Sequence, residues 1–219
     1  MKNLMYRLLL AATLLLGGSA FADSQLGKDY VRLDPAQPTS NQKIEVLEFF
    51  FYECSHCFHL HPFLMEWEKS LPKDVQIQYV PTIFRAATEP LARTFYALEG
   101  LGQIKQMDDA IYQAVHVQQA ELFDLSSIGA FVAKNGVDKN KFTAAYNSFT
   151  VNSKVNQAKQ MIRTYKIQGT PTLVVAGKYV ITQQQPQDVP RILNDVIAKV
   201  RQERGMDVKP AAPIKKVTH

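Results

Sequence analysis

Val46-Leu47-Glu48-Phe49-Phe50-Phe51-Tyr52-Glu53-Cys54-Ser55-His56-Cys57 decides how this 219-residue chain is read, because it joins an apolar run to the only two cysteines in the sequence. The two thiols stand at C-x-x-C spacing. A structural disulfide stabilises by restricting the unfolded chain, and that effect grows with the loop it closes. A bridge across two residues restricts almost nothing, so the pair is expected to open and close as a redox couple.

Working outward, Ile44 to Phe51 is continuously apolar, with the β-branched and aromatic content of a strand covered on both faces. Phe58, Leu60, Phe63, Leu64 and Trp67 then recur at helical spacing, which predicts a helix from about Cys54 to Ser70, interrupted at Pro62. Val75-Gln76-Ile77-Gln78-Tyr79 alternates as the next strand, so the cysteines occupy the first turn of a strand-helix-strand unit with parallel pairing. Residues 88–150 carry no strand pattern. Helices are expected from Thr88-Glu89-Pro90 to Leu98 and over about 103–116, 124–134 and 138–148, with Asn135-Gly136 as a stop and Asp138 as a cap. Thr172 to Val175, a turn at Ala176-Gly177, and Lys178 to Ile181 read as a hairpin, and Val189 to Val200 as a closing amphipathic helix.

The chain start reads as a secretory leader: Lys2 and Arg7, an apolar core over Leu8 to Leu16, and Ala20-Phe21-Ala22 as a small-x-small cleavage site. Nothing in it is long enough to cross a bilayer, which takes ~20 apolar residues. Removing residues 1–22 takes away two cations and no acid, so the formal charge falls from +5 to +3. No Lys/Arg-rich run stands out, which argues against nucleic acid or an anionic membrane surface as partner. Export places the thiols where disulfides form and persist. The expected division is a leader at 1–22, an α/β domain in two parts at 23–87 and 151–204, a helical insertion at 88–150, and a tail without fixed structure at 205–219.

The thiolate is the reactive species, and a free thiol of pKa ~8.5 is only about 3 % ionised at pH 7. A sulfur at a helix start meets unpaired N–H groups and the positive end of the dipole, which favours the anion at Cys54. His56, when protonated, adds a local cation. Lowering the pKa of Cys54 stabilises the reduced protein, leaving the disulfide oxidising. Glu48 is a carboxyl in a buried strand, costly unless it is paired or titrates. Two readings stay open for it: proton exchange with Cys57, or a polar pocket or lysine partner. Gly169-Thr170-Pro171-Thr172 opens a strand with a permitted proline.

Together, Phe49 to Cys57 and Gly169-Thr170-Pro171-Thr172-Leu173 resemble the DsbA family, periplasmic thiol:disulfide oxidoreductases with a thioredoxin-like fold, a central mixed sheet and an inserted helical domain. The resemblance runs from about Tyr30 to Arg204. It implies Cys54 as the exposed nucleophile, Cys57 as the buried resolving thiol, His56 as the residue supporting the Cys54 thiolate and Glu48 as the buried acid. It implies substrate contacts at Thr170, a cis Pro171 and Ser55 within an apolar groove. An acidified first cysteine is itself a property of that family. The implied activity is oxidation of reduced exported proteins through a mixed disulfide at Cys54, by a monomer needing no cofactor that a DsbB-like quinone-linked membrane protein reoxidises. Two positions depart from the best-known pattern, Ser55 in place of a proline and Tyr79 near the place of a lysine that pairs with the buried acid.

Two rivals use the same residues. A reductase or isomerase would share the cysteines at a different potential, though isomerases of this compartment usually add an N-terminal dimerisation domain, for which the expected mature chain leaves no room. A zinc or copper site would draw on Cys54, Cys57, His56, His59 and His61, yet His59 and His61 cannot both share a helix face with the thiols, and no second C-x-x-C completes a tetrahedral set. His59 and His61 are therefore expected to be solvated, and Phe58, Phe63, Trp67, Phe95, Tyr96 and Phe131 to be core.

Overall fold

A computed structural model describes residues 23–40 and 42–206, so the leader at 1–22 and residues 207–219 of the tail lie outside the described residues. The elements run β1 (Val31–Arg32), β2 (Ile44–Phe50), α1 (Ser55–Glu68), β3 (Val75–Pro81), a 3₁₀ turn (Ala86–Thr88), α2 (Glu89–Gly100), α3 (Ile104–His116), α4 (Leu125–Lys134), α5 (Lys139–Tyr146), α6 (Phe149–Thr164), β4 (Thr172–Val175), β5 (Tyr179–Thr182) and α7 (Val189–Glu203). The five strands form one mixed sheet in the order β1-β5-β4-β2-β3. β2 is flanked on both sides, parallel to β3 and antiparallel to β4. That is why its side chains are almost uniformly buried.

Each face of the sheet carries its own core. On one, Leu60, Leu64 and Trp67 of α1 pack with Ile192, Leu193, Val196 and Ile197 of α7 over Val46, Leu173 and Ile181. Burying each such side chain contributes about 1.5–3 kcal/mol. The Trp67 indole N–H also donates to Asn194 Oδ1 at 2.9 Å, tying the two helices together. On the other, Leu47, Phe49, Val80 and Val174 meet the helical segment, and Phe50, at the end of β2, and Cys57 join the same cluster. The first turn of α1 therefore sits where the sheet, the helical segment and solvent meet.

Most expected elements are present, and three differ. Pro62 lies within a continuous α1, with no break at that point. The helix α6 runs across the 150/151 boundary, because Val151, Val155 and Ala158 give it a narrow buried stripe facing the helical core. Gly205 and Met206 are not the start of a loose tail. Gly205 adopts φ +64°, and the amides of Gly205 and Met206 donate to the carbonyls of Gln202 and Arg201, closing the end of α7.

The hairpin turn follows the sequence closely. Ala176 (φ 51°) and Gly177 (φ 64°) are both left-handed, the geometry that matches strand twist in a two-residue turn. A Cβ on Gly177 would run into the Gln37 carbonyl, so only glycine fits.

Candidate functional site

Cys54 is the residue that caps α1 at its N-terminus, with extended backbone (φ −83°, ψ 114°) and no side-chain cap of the usual hydroxyl or carboxylate kind. The orphan amides of the first turn are thereby left to its sulfur. The thiol group of Cys57 donates the strongest of the bonds that stabilise the Cys54 anion; the Thr170 side chain and the amides of Cys57 and His56 add to it. Partial burial opposes them, and the balance lowers the Cys54 pKa from the ordinary thiol range to about 5. Cys54 is half-buried and Cys57 fully buried, and the two are unbridged in this structure. Burial, the bond to Cys54 and the nearby Glu48 carboxylate all push the Cys57 thiol far upward.

The loop before β4 closes over this turn. Thr170-Pro171 is a cis peptide, and the Cys54 thiol donates to the Thr170 carbonyl oxygen at 3.4 Å. Beside it runs a groove of about 750 Å³, with His56, Thr170 and Pro171 at its edge. The groove expected to be apolar is mixed. Its floor is Leu60, Ile167, Leu173 and Ile181, but Gln168, in the loop before β4, and Gln183-Gln184-Gln185, directly after the short strand β5, line the rim. His56 is exposed and meets Cys54 through its amide. Ser55 is exposed on the first turn, outside the residues lining the groove.

Glu48 lies behind the pair. In the register of the sheet it stands opposite Tyr79 on β3 and Leu173 on β4. It is buried, and desolvation together with the negative charges of Asp108 and Cys54 raises its pKa to about 8. No cation enters that balance, in keeping with tyrosine at position 79. The Tyr79 hydroxyl instead donates to Glu68 Oε2 at 2.9 Å.

Several neighbours of this site carry no local signal in the sequence. Tyr52 donates its hydroxyl to Asp108 Oδ1. His61, expected to be solvated, is buried with Nδ1 3.7 Å from Asp108 Oδ2, because α3 covers that face of α1. The Tyr112 ring packs on His61 at 4.8 Å, and the His116 ring stacks on Phe58 at 4.8 Å while its Nε2 lies 2.7 Å from the Tyr52 carbonyl. The only trace of α3's role is its apolar face of Met107, Ile111 and Ala114, which turns Asp108 and Tyr112 inward. His59 is exposed. Among the described residues no group of three or more His, Cys, Asp or Glu is arranged to hold a metal ion, and no helix is long and apolar enough to cross a membrane.

Comparison with known proteins gives one answer. A family model, the DSBA-like thioredoxin domain, matches residues 73–194, a span that begins after the cysteine pair. Thiol:disulfide interchange protein DsbA of Pseudomonas aeruginosa is 36% identical over 181 residues, covering 82% of this chain and 86% of that protein. The Burkholderia cepacia protein of the same name is 35% identical over 211 residues, covering 93% and 100%. Alignments that cover this much of the chain cannot leave out residues 54–57. The crystal structure of Pseudomonas aeruginosa DsbA superposes with a TM-score of 0.79 at 32% identity over 83% of this chain and 97% of that one. An oxidoreductase DsbA from Xylella fastidiosa gives 0.76 at 30% identity, over 82% and 98%. The chain belongs to the DsbA family of thioredoxin-like thiol:disulfide oxidoreductases.

Proposed function

We propose that the protein is a thiol oxidase of the periplasm. It passes the Cys54–Cys57 disulfide to reduced exported proteins through a mixed disulfide at Cys54, and a DsbB-like quinone-linked membrane protein restores the disulfide. The observation that carries this reading is the asymmetry of the pair: Cys54 is half-exposed with a pKa near 5, while Cys57 is buried with its ionisation strongly opposed. A substrate thiolate attacks Cys54 Sγ, the intramolecular S–S bond breaks, and its electron pair goes to Cys57. That sulfur is too buried to remain an anion, so it takes a proton, and in this reading the proton comes from Glu48, whose charge acts on Cys57. A second substrate thiolate then displaces Cys54, which leaves as a stable thiolate. The substrate gains a disulfide and the protein becomes a dithiol.

A leaving group that ionises near pH 5 favours this direction over reduction or isomerisation. Thr170 and Pro171, beside the sulfur, would hold an extended segment of the incoming chain through main-chain pairing, with Ser55, exposed on the first turn of α1, as a further contact. We take the active species to be a monomer without cofactor, exported by the leader at 1–22 and divided into the two-part thioredoxin-like domain and helical insertion read from the sequence. Equilibration with a series of glutathione buffers tests the direction. The expected midpoint is more oxidising than glutathione itself, and Cys54→Ser abolishes exchange while keeping the fold. A midpoint more reducing than glutathione would assign a reductase instead.

A further inference from the structure

The chain leaves the sheet just before the nucleophile, and the group that receives it there comes from the helical insertion. At the end of β2 the Thr82 amide donates to the Phe50 carbonyl at 2.6 Å, and the Cys54 amide then turns back to the Phe51 carbonyl at 3.0 Å. The Tyr52 carbonyl falls within that turn, in a residue 1% exposed, and no main-chain amide among the described residues donates to it. A buried carbonyl without a donor is costly. His116, 64 positions away at the end of α3, places its Nε2 2.7 Å from this oxygen.

The same imidazole lies nearly flat on the Phe58 ring, with centroids 4.8 Å apart and planes 13° apart. Phe58 closes the first turn of α1 by donating its amide to the Cys54 carbonyl at 3.0 Å. His116 therefore touches the chain on both sides of Cys54. Its own backbone is fixed, because the amides of Val117 and Gln118 both donate to the Gln113 carbonyl at 3.0 Å and close the end of α3. Asp108 and Tyr112 precede it at four-residue spacing, on the same face of the helix. The Tyr112 ring meets the Tyr52 ring at 4.9 Å and the Tyr52 hydroxyl donates to Asp108, so α3 holds Tyr52 by its side-chain tip as well as by its main chain.

We propose that His116 is a positioning residue for thiol-disulfide exchange, its bond to the Tyr52 carbonyl and its stack on Phe58 holding the turn that aims the first amides of α1 at Cys54 Sγ. This rests on the redox reading above and deepens it. His116 acts on the sulfur only through Tyr52 and Phe58. A carbonyl oxygen can only accept, so the ring carries a proton on Nε2. Without that donor the carbonyl turns toward water, and the amides of His56 and Cys57 that support the thiolate lose their alignment with it.

The test is titration of the reduced protein by thiolate absorbance, with equilibration against glutathione buffers as a second readout. His116→Phe keeps a ring on Phe58 and removes the donor, whereas His116→Gln supplies an amide N–H at about the place of Nε2. His116→Phe is expected to move the Cys54 midpoint from near 5 to about 6, and to shift the equilibrium with glutathione roughly tenfold toward the disulfide. His116→Gln should bring both values most of the way back to the parent. An unmoved midpoint in His116→Phe, even in a destabilised protein, would overturn the proposal by leaving His116 a packing residue alone. A glutamine variant shifted as far as the phenylalanine one would overturn it too. The imidazole ¹⁵N spectrum of the unaltered protein decides the matter even where a variant does not fold: a proton on Nε2 supports the bond, and a neutral ring protonated on Nδ1 alone contradicts it. A parent protein with no thiol-disulfide exchange at Cys54 would defeat the functional reading, whereas exchange with an unmoved midpoint in His116→Phe defeats only the role of His116.

Discussion

The Cys54 thiol lies 3.4 Å from the carbonyl oxygen of Thr170, across 116 positions of sequence, so the nucleophile at the start of α1 and the loop before β4 form one surface. The carbonyl accepts from the thiol, whereas the Thr170 side chain supports the thiolate, after the larger contribution of the Cys57 thiol. Thr170→Val removes that donor and keeps the main chain. It should raise the Cys54 pKa and lower its alkylation rate at about pH 4, below the parent midpoint, roughly fivefold, in line with about 1 kcal/mol for one hydrogen bond. Alkylation rates indistinguishable from the parent would show that Thr170 acts by its backbone alone.

The stability of the reduced protein should carry the signature of Cys54. Its folded pKa lies below the unfolded value, so the thiolate's stabilisation is fully present above the unfolded pKa of ~8.5 and is lost as pH falls through about 5. Glu48 works in the opposite sense over part of this range, but it is present in both redox forms. Subtracting the melting temperature of the oxidised form removes most of its effect. The reduced-minus-oxidised difference should therefore decline steadily from about pH 8.5 to about 5. A difference independent of pH would count against an activated sulfur.

Glu48 has its own pH dependence. Below ~4.5 both the folded and unfolded chains hold the proton and the residue is neutral in effect. Above that value only the unfolded chain releases it, so stability falls with rising pH until the folded carboxyl also ionises near 8. Glu48→Gln should be more stable than the parent at alkaline pH by on the order of a few kcal/mol, with the gain vanishing in acid. Urea denaturation at several pH values measures it, and a gain equal at all pH values would mean that ionisation is not the cause.

On the far side of the molecule, Arg201 is 3% exposed and grips Asp74 through two bonds, Nε to Oδ2 at 2.7 Å and Nη2 to Oδ1 at 3.0 Å. Removing the carboxylate strands a buried guanidinium. Asp74→Ala should cost about 2 kcal/mol or more of stability while leaving exchange at Cys54 unchanged. A loss under 0.5 kcal/mol, roughly the scale of an exposed pair, would show that water replaces the carboxylate at no cost.

What was legible in the sequence was what is local. The apolar run into a C-x-x-C pair specified a buried strand, a sharp turn and a helix start, and with them the acidity of Cys54. The Ala176-Gly177 turn announced its hairpin. The helix α6 was harder to see because its buried stripe is narrow, Val151, Val155 and Ala158, in an otherwise polar segment, although Ser148 ahead of it caps the helix by accepting from the Val151 amide. The polar cluster behind the sulfurs could not be read at all. Asp108 belongs to an ordinary acidic doublet, and His61 looks solvated until α3 is laid across it. Their meaning comes from packing between segments about fifty residues apart, for which neither periodicity nor spacing leaves a mark.

The most direct test of the account is titration of the reduced protein by thiolate ultraviolet absorbance, with Cys54→Ser as the control. One ionisation is expected, with a midpoint near pH 5, that disappears in the variant, and no second thiolate through the ordinary thiol range. Two sulfurs ionising together around ~8.5 would contradict it.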